Sequence, residues 1–268
     1  MYDSNVIPEG VSVILDTKRN FGVEIEMSTE FEKVKNIISP YLNKKSIIFE
    51  TFNIESSNKK KWYLKIDGTT ESELTTPAIC LKSENYIKLK ELLKVLIRNR
   101  VKVTDRDGLH VHIECADVAV GQLIASWIYF EKALISLFPK HRSIQNNGCY
   151  SKRFIGQDST KKISDVFQKS LDTSYHEKYS AISLRHYSER KTAEFRMAEG
   201  MIRFQDIDCW LKILLHLIDF SRKCDICNVL TTKLCDRPNY NEVYSLLCIN
   251  AHKIRNWICY RIDRFSKK

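Results

Sequence analysis

The sequence predicts an α+β fold in which an antiparallel sheet is flanked by helices. Several short segments have apolar residues at every second position, which is the periodicity of a strand with one buried face. The turn dipeptide Asp67-Gly68 joins two of these segments, as in an antiparallel hairpin. Beyond Gly200 the apolar residues recur at helical spacing instead, so we expect the C-terminal third to be helical.

The predicted strands follow from this alternation and from the turn residues that bound them. They cover residues 21–27, 46–52, 62–66, 71–79, 109–115, 179–185 and 192–198. In the first strand apolar side chains alternate with Glu24 and Glu26, so both glutamates share one face. In the fifth strand His110 and His112 share a face in the same way.

The predicted helices are delimited by capping residues and prolines. We expect them at residues 29–40, 83–100, 117–138, 163–171, 205–222, 241–250 and from 251 onward. Ser83 is a candidate N-cap, whereas Pro40 and Pro139 should end two helices because proline lacks the N–H that a helix interior needs. No repeat or linker is evident, so we expect one domain over residues 1–268, with residues 201–268 as a helical portion packed on it.

Composition excludes several classes of protein. The 268 residues are 43% hydrophobic and 28% charged, and no apolar run is long enough to cross a bilayer, so neither secretion nor membrane insertion is expected. The nine cysteines are odd in number and mostly lie within apolar patterns, which is typical of reduced thiols in the cytoplasm. The net charge of +10 would attract polyanions such as nucleic acid, nucleotides or acidic substrates.

Polar side chains share one face on each of four predicted strands. The pairs are Glu24 with Glu26, Glu71 with Glu73, His110 with His112, and Glu194 with Arg196. If these strands are neighbours in one sheet, the face gathers carboxylates and imidazoles. Hard divalent cations prefer oxygen ligands, and clustered carboxylates need a cation to offset their repulsion. The pattern therefore favours a divalent metal site.

Four segments resemble, in this order, the motifs of the amidoligase family. They are FGVEIEM (21–27), WYLKIDGTTESELTTP (62–77), DGLHVHIE (107–114) and KYSAISL with KTAEFRMAEG (178–200). That family is grouped with glutamine synthetase and glutamate-cysteine ligase among the carboxylate-amine ligases. The resemblance implies a curved antiparallel sheet of the glutamine synthetase type, whose concave face binds ATP and two or more Mg²⁺ or Mn²⁺ ions.

The resemblance also implies a role for each polar strand residue. Glu24 and Glu26 would be ligands of separate ions. Glu73 would be a further ligand beside Glu26, and His110 and Glu194 would be ligands beside Glu24. Because imidazole is not a preferred ligand of Mg²⁺, Mn²⁺ could serve as well or better.

Nucleotide binding and catalysis are assigned by the same resemblance. His112 and Arg185 would contact ATP, with His112 near the phosphates. Arg196 would stabilise the phosphoryl group during transfer and would form the catalytic pair with Glu194. ATP would convert a carboxylate into an acyl phosphate, which an amine then attacks, and metals with a guanidinium would neutralise the charge that develops.

The substrate is where the chain departs from the family pattern. The stretch with Arg142, Asn146, Asn147 and Tyr150 is similar to the family's Arg-Asn-Tyr loop, so Arg142 and Asn147 would bind the substrate carboxylate. A plain solvated loop explains this stretch at least as well. Ser183 stands where the family often has asparagine, and Arg190-Lys191 stand where it often has His-Gly. The carboxylate and the amine could therefore belong to a small molecule, a peptide or a protein.

Each signal also has a simpler interpretation. The glutamates could be a solvated strand face, the histidines could be surface residues, and Glu194 with Arg196 could be a structural ion pair. The sequence Cys224-Xaa-Xaa-Cys227 with Cys235 suggests zinc, but no fourth ligand is evident, and core or surface thiols explain these cysteines adequately.

The basic tail gives rise to the rival functional hypothesis. Residues 252–268 interleave lysines and arginines with aromatic side chains, which could bind nucleic acid on a ligase-like scaffold without catalytic activity. The alternative is an amphipathic helix docked through its aromatic residues, and we favour it because those residues recur at helical spacing.

Overall fold

The computed structural model describes residues 15–45, 49–52, 61–68, 70–104, 106–142, 180–223, 225 and 251–266. They belong to two compact units, each formed by separate stretches of the chain. The sheet unit comprises Thr17–Ile113 and Ala198–Asp208, and the helical unit comprises Met1–Asp16, Glu114–Met197 and Cys209–Lys268. The expectation of one ligase-like domain over residues 1–268 stays a prediction.

The described residues of the sheet unit form five strands in the order β2-β3-β4-β1-β5. They are β1 (Phe21–Met27), β2 (Phe49–Phe52), β3 (Trp62–Asp67), β4 (Thr70–Thr75) and β5 (Gly108–Glu114). Antiparallel pairing joins β3 to β4, β4 to β1 and β1 to β5, which confirms the predicted hairpin and the antiparallel sense of the sheet at these strands. At the edge the prediction is wrong, because β2 runs parallel to β3.

Strand β4 is shorter than predicted because a side chain interrupts its ladder. The Val23 N–H donates to the Thr76 hydroxyl, at 2.9 Å, instead of to a main-chain carbonyl. Pro77 follows and has no N–H to donate. Pairing with β1 resumes only at the isolated bridge between Phe21 and Ile79.

Helices α1 (Phe31–Lys44) and α2 (Glu84–Arg98) pack together, and α1 also contacts β3 and β4. Ser83 caps α2 as predicted, because its hydroxyl accepts the Tyr86 N–H. The prediction that Pro40 ends α1 is wrong. The helix continues through Pro40 for another turn, which buries Leu42 in line with the apolar face of the helix. That burial offsets the backbone hydrogen bond that proline cannot make.

Gly200 lies against the turn that precedes β5, and a side chain there should destabilise the protein. A Cβ atom at Gly200 would lie 2.7 Å from the Asp107 Cβ and 3.1 Å from the Thr104 carbonyl oxygen. Gly200→Ala should therefore lower the free energy of unfolding by about 1–3 kcal/mol in urea titrations. Gly22→Ala is the control, because its Cβ would meet nothing closer than 3.9 Å. Equal effects of the two substitutions would contradict the prediction.

The helical unit is built on long apolar helices and a short hairpin. Its elements are α3 (Val120–Ile135), a 3₁₀ turn (Lys140–Arg142), β6 (Ile182–Ser183), α4 (Tyr187–Arg190), β7 (Thr192–Glu199), α5 (Phe204–Lys223) and α6 (His252–Ser266). Strands β6 and β7 are antiparallel, as predicted, although β6 is much shorter than the predicted strand at 179–185. The predictions for β7 and α5 are confirmed.

Aromatic side chains hold α3 in this unit. The rings of Trp127 and Phe195 are 5.5 Å apart, and those of Phe130 and Phe220 are 5.3 Å apart. Both pairs have the tilted or edge-to-face geometry that aromatic rings prefer. Helix α3 is shorter at both ends than the predicted helix at 117–138, and Phe138 lies just beyond it.

Helix α6, which contains most of the basic tail, packs into the helical unit through one face. This is the docked amphipathic helix that the spacing of its aromatic residues predicts. Ile254, Trp257, Ile258 and Arg261 are buried, whereas Tyr260 is 48% exposed. The buried residues recur at intervals of three and four, which is the period of a helix with one apolar face. Trp257, one of the aromatic residues of the tail, is therefore part of the core.

Some predicted features fall outside the described residues. They are the helices at 163–171 and 241–250, Asn147, and the cysteines Cys224, Cys227 and Cys235. Among the helices that the structure describes, none combines the length and the apolar character that crossing a membrane requires.

Candidate functional site

The register of the sheet brings together polar residues that the sequence places on separate strands. On one side of β1, Glu26 lies opposite Glu73 of β4. On the other side, Glu24 lies opposite His110 of β5. Residues directly opposite each other in antiparallel strands project from the same face, about 5 Å apart at their Cβ atoms. The sheet unit therefore carries one polar face along β4, β1 and β5.

Glu24 lies between two imidazole rings. Its carboxylate oxygens are 3.4 Å from Nδ1 of His110 and 3.2 Å from Nε2 of His112. Burial raises the pKa of Glu24, but the charge of His112, the hydrogen bonds of both rings and the charge of His110 outweigh burial. The pKa therefore lies well below its ordinary value. Glu24 is thus an anion at neutral pH, which suits a metal ligand.

Glu26 is held by the main chain on one side and faces a histidine on the other. The Gly108 N–H donates to Oε2 at 2.5 Å, and Nε2 of His110 is 3.6 Å from Oε1. His110 therefore faces Glu24 with one ring nitrogen and Glu26 with the other. Because Glu26 and His110 are both buried, this arrangement holds both carboxylates in fixed positions.

Glu73 is the most deeply buried carboxylate of the face. Its side chain is 1% exposed, and its Oε1 atom is 2.9 Å from Nζ of Lys65 on β3. The Thr75 hydroxyl donates to the same oxygen at 3.1 Å. Lys65 and Glu73 are direct partners across β3 and β4, so the polar face extends as far as β3.

Asp107 supports this face, although the sequence indicated only a turn residue. Its Oδ2 atom accepts hydrogen bonds from the Ser28 hydroxyl at 2.7 Å and from the Thr104 N–H at 2.5 Å. These bonds fix the turn that leads to Gly108, whose N–H holds Glu26. The signal was present in the sequence, since Asp-Gly favours a turn. The turn signal does not indicate that the turn would position the carboxylate of Glu26.

Glu194 and Arg196 form an ion pair along β7 in the helical unit. Their side chains are each 13% exposed, so both are largely removed from water. The guanidinium of the buried Arg142 donates to the Arg196 carbonyl at 3.1 Å, which ties the 3₁₀ turn to β7. Arg185 is exposed. The roles assigned to these four residues by the resemblance stay predictions.

The donor set of the sheet unit fits a divalent cation. Glu24 and His112 offer ligand atoms close enough to hold one ion. Glu26 and Glu73 are direct partners across β1 and β4, so they supply a second pair of carboxylates on the same face. Carboxylate oxygens are the ligands that Mg²⁺ and Mn²⁺ prefer, and the imidazole nitrogens favour Mn²⁺. Glu71 lies on the same strand as Glu73 but is exposed.

The family comparison covers both units. A family model described as "putative amidoligase enzyme" matches residues 17–218 of the chain. The matched range includes the polar face of the sheet unit and the Glu194–Arg196 pair. A search of curated proteins found no match.

Proposed function

Because the chain belongs to the amidoligase family, we propose that it is an ATP-dependent carboxylate-amine ligase that works through an acyl phosphate. The observation that carries this proposal is the polar face of the sheet unit, where Glu24, Glu26, Glu73, His110 and His112 are held together. On a strand face without a function, carboxylates would be expected in water and apart from one another, since burying them side by side opposes folding through both repulsion and desolvation.

The reaction transfers the γ-phosphoryl group of ATP to a carboxylate oxygen and releases ADP. The amine nitrogen then forms a bond to the acyl carbon, the bond from that carbon to the phosphate oxygen breaks, and the amine loses a proton. The products are an amide or isopeptide, ADP and phosphate. Divalent ions bound by the carboxylates would neutralise the phosphate oxygens during transfer.

The residues of the sheet unit would hold two ions. We assign Glu24 to one ion, with His110 and Glu194 as the family pattern implies, and Glu26 with Glu73 to the other; Nε2 of His112, 3.2 Å from Glu24, is close enough to bind the first ion as well. His110 supports this division because it faces Glu24 and Glu26 with different nitrogens and so keeps the two carboxylates apart. Glu24 is ionised at neutral pH, so it can bind a cation without first losing a proton.

The remaining roles follow the family pattern. We assign His112 and Arg185 to the nucleotide, and Arg196 to the transferred phosphoryl group, where a planar guanidinium binds two oxygens at once. We assign Arg142 and Asn147 to the substrate carboxylate. The protein would work in the cytoplasm, where thiols such as those of Cys80, Cys115, Cys209 and Cys259 stay reduced.

Metal and nucleotide binding provide the first test of this function. Mn²⁺ or Mg²⁺ should raise the melting temperature of the protein freed of metal by EDTA, and ATP should raise it further. Glu26→Gln should largely remove both effects, because it weakens an anionic ligand without changing its shape. Glu71→Gln is the matched control, since Glu71 is exposed on the neighbouring strand. The proposal fails if the wild-type protein shows no shift with either metal and no nucleotide binding.

The chemistry requires a second test. Incubation with Mg²⁺-ATP and a suitable carboxylate should release ADP slowly, and hydroxylamine should trap the acyl phosphate as a hydroxamate. Some carboxylates are expected to stimulate ATP hydrolysis. If none of these gives a hydroxamate although ADP is released, the protein is an ATPase and not a ligase. Small acids, peptides and proteins should be compared, because the chain does not identify its carboxylate.

A further inference from the structure

We propose that Lys65 is a built-in counter-ion of the Glu26–Glu73 pair and competes with a divalent cation for it. The proposal rests on the function proposed above and adds a means by which the chain sets its own metal affinity. It starts from the Lys65 ammonium, which lies 2.9 Å from the Glu73 carboxylate on the polar face of the sheet unit. Lys65 lies within the segment WYLKIDGTTESELTTP, and the family resemblance implies no role for it.

The Glu26–Glu73 pair needs a positive charge when no metal is bound. The two residues lie directly opposite each other across β1 and β4, and their side chains are 8% and 1% exposed. Water therefore screens their repulsion poorly, and a buried anion without a counter-charge is costly. The main-chain N–H of Gly108 binds Glu26 on the side away from Glu73 and carries no full charge. Lys65 supplies a full positive charge at Glu73.

Lys65 is also placed so that it can withdraw. Its side chain is 41% exposed, whereas Glu73 is almost fully covered. A lysine has a long flexible chain with a strongly hydrated ammonium, so moving into water costs it little. The carboxylate cannot move in the same way. An arriving ion would displace Lys65 from Glu73 and neutralise the carboxylates in its place. Breaking the Lys65–Glu73 ion pair costs free energy, so it lowers the affinity of the metal for this pair.

Removing the ammonium while keeping the length of the side chain should therefore tighten metal binding. We expect Lys65→Met to bind Mn²⁺ about tenfold more tightly than wild type in calorimetric titrations of the full chain without nucleotide. We also expect it to melt at a lower temperature in EDTA, because Glu73 then loses the ammonium charge that offsets its repulsion with Glu26. Lys65→Arg should behave like wild type in both measurements, since it keeps the charge.

Two further variants make the measurement specific. Lys88→Met removes another lysine ion pair of the sheet unit, the one with Glu84 on α2, and should leave Mn²⁺ affinity unchanged. Adding Glu73→Gln to Lys65→Met should abolish the gain in affinity, because the competition requires the Glu73 carboxylate. A gain that survives Glu73→Gln would mean that Lys65 acts through general charge on the surface, which would overturn the proposal.

The remaining outcomes separate this inference from the proposed function. If wild type binds Mn²⁺ and Lys65→Met binds it with the same or lower affinity, the inference is wrong and the metal site stands. If neither protein binds Mn²⁺, both the inference and the proposed metal-dependent function are wrong. If Lys65→Met binds Mn²⁺ and wild type does not, the inference holds in its strongest form, in which Lys65 keeps the ion from binding to this pair.

Discussion

Replacing Arg196 with lysine is expected to lower the rate of ligation by about 100- to 1000-fold while changing ATP affinity by less than about tenfold. Lysine keeps the positive charge beside Glu194, so the ion pair along β7 can persist. It cannot reproduce the planar fork with which a guanidinium binds two oxygens of a phosphoryl group in transfer. Rates of ADP release and hydroxamate formation, with the calorimetric ATP affinity, measure the two effects separately.

The same substitution tests the structural interpretation of this ion pair. If Glu194 and Arg196 serve only to stabilise the fold, lysine should preserve both stability and activity. Arg190→Lys is the matched control, because Arg190 is exposed at the end of α4, two residues before β7. The assignment of Arg196 to catalysis should be abandoned if Arg196→Lys retains the wild-type rate, or if rate and ATP affinity fall by the same factor.

Arg261→Ala in helix α6 is expected to lower the free energy of unfolding by about 3 kcal/mol. The Arg261 side chain is 1% exposed, and its guanidinium lies within 5.3 Å of the ring centroids of Phe138, Trp257 and Phe265. Its Nε atom also donates to the Leu137 carbonyl at 2.8 Å. Alanine would remove the contacts with the rings and leave that carbonyl without this donor. Urea titration of both proteins measures the loss.

Arg264→Ala is the control on the same helix. Arg264 is exposed, so its removal should change stability by less than about 0.5 kcal/mol. Comparable losses for the two arginines would show that α6 is not docked through Arg261. The pair also tests the rival hypothesis of a nucleic-acid scaffold, because Arg264 and Tyr260 remain available on the surface of this helix. Nucleic-acid binding that Arg264→Ala abolishes, in a protein without nucleotide or metal binding, would favour the rival.

Much of the sheet unit could be predicted because its signals are local. The alternation in FGVEIEM and DGLHVHIE depends only on the period of a strand, and it placed Glu24 with Glu26 and His110 with His112 correctly. The Ser83 cap also depends on the nearest turn of chain. The predicted helix end at Pro40 is wrong, because the burial of Leu42 is a tertiary effect that outweighs the local tendency of proline to end a helix.

The partners of each charged residue could not be predicted in this way. Two chain segments that are far apart in sequence bring Glu26 opposite Glu73, and a third brings the Gly108 N–H to Glu26. The Lys65–Glu73 contact depends on the pairing of β3 with β4, so the turn dipeptide Asp67-Gly68 indicated the hairpin but not the ion pair. Register depends on the packing of a whole face, and local periodicity does not determine it.

The sequence by itself determined which residues alternate on each strand, where the helices α2 and α5 lie, and which family the chain resembles. Those features depend on neighbouring residues and on the order of motifs along the chain. Only the tertiary structure decided that His110 lies between Glu24 and Glu26, and that Lys65 compensates the charge of Glu73. The reason is physical: hydrogen bonds and ion pairs act over a few ångströms, and folding alone brings distant strands that close together.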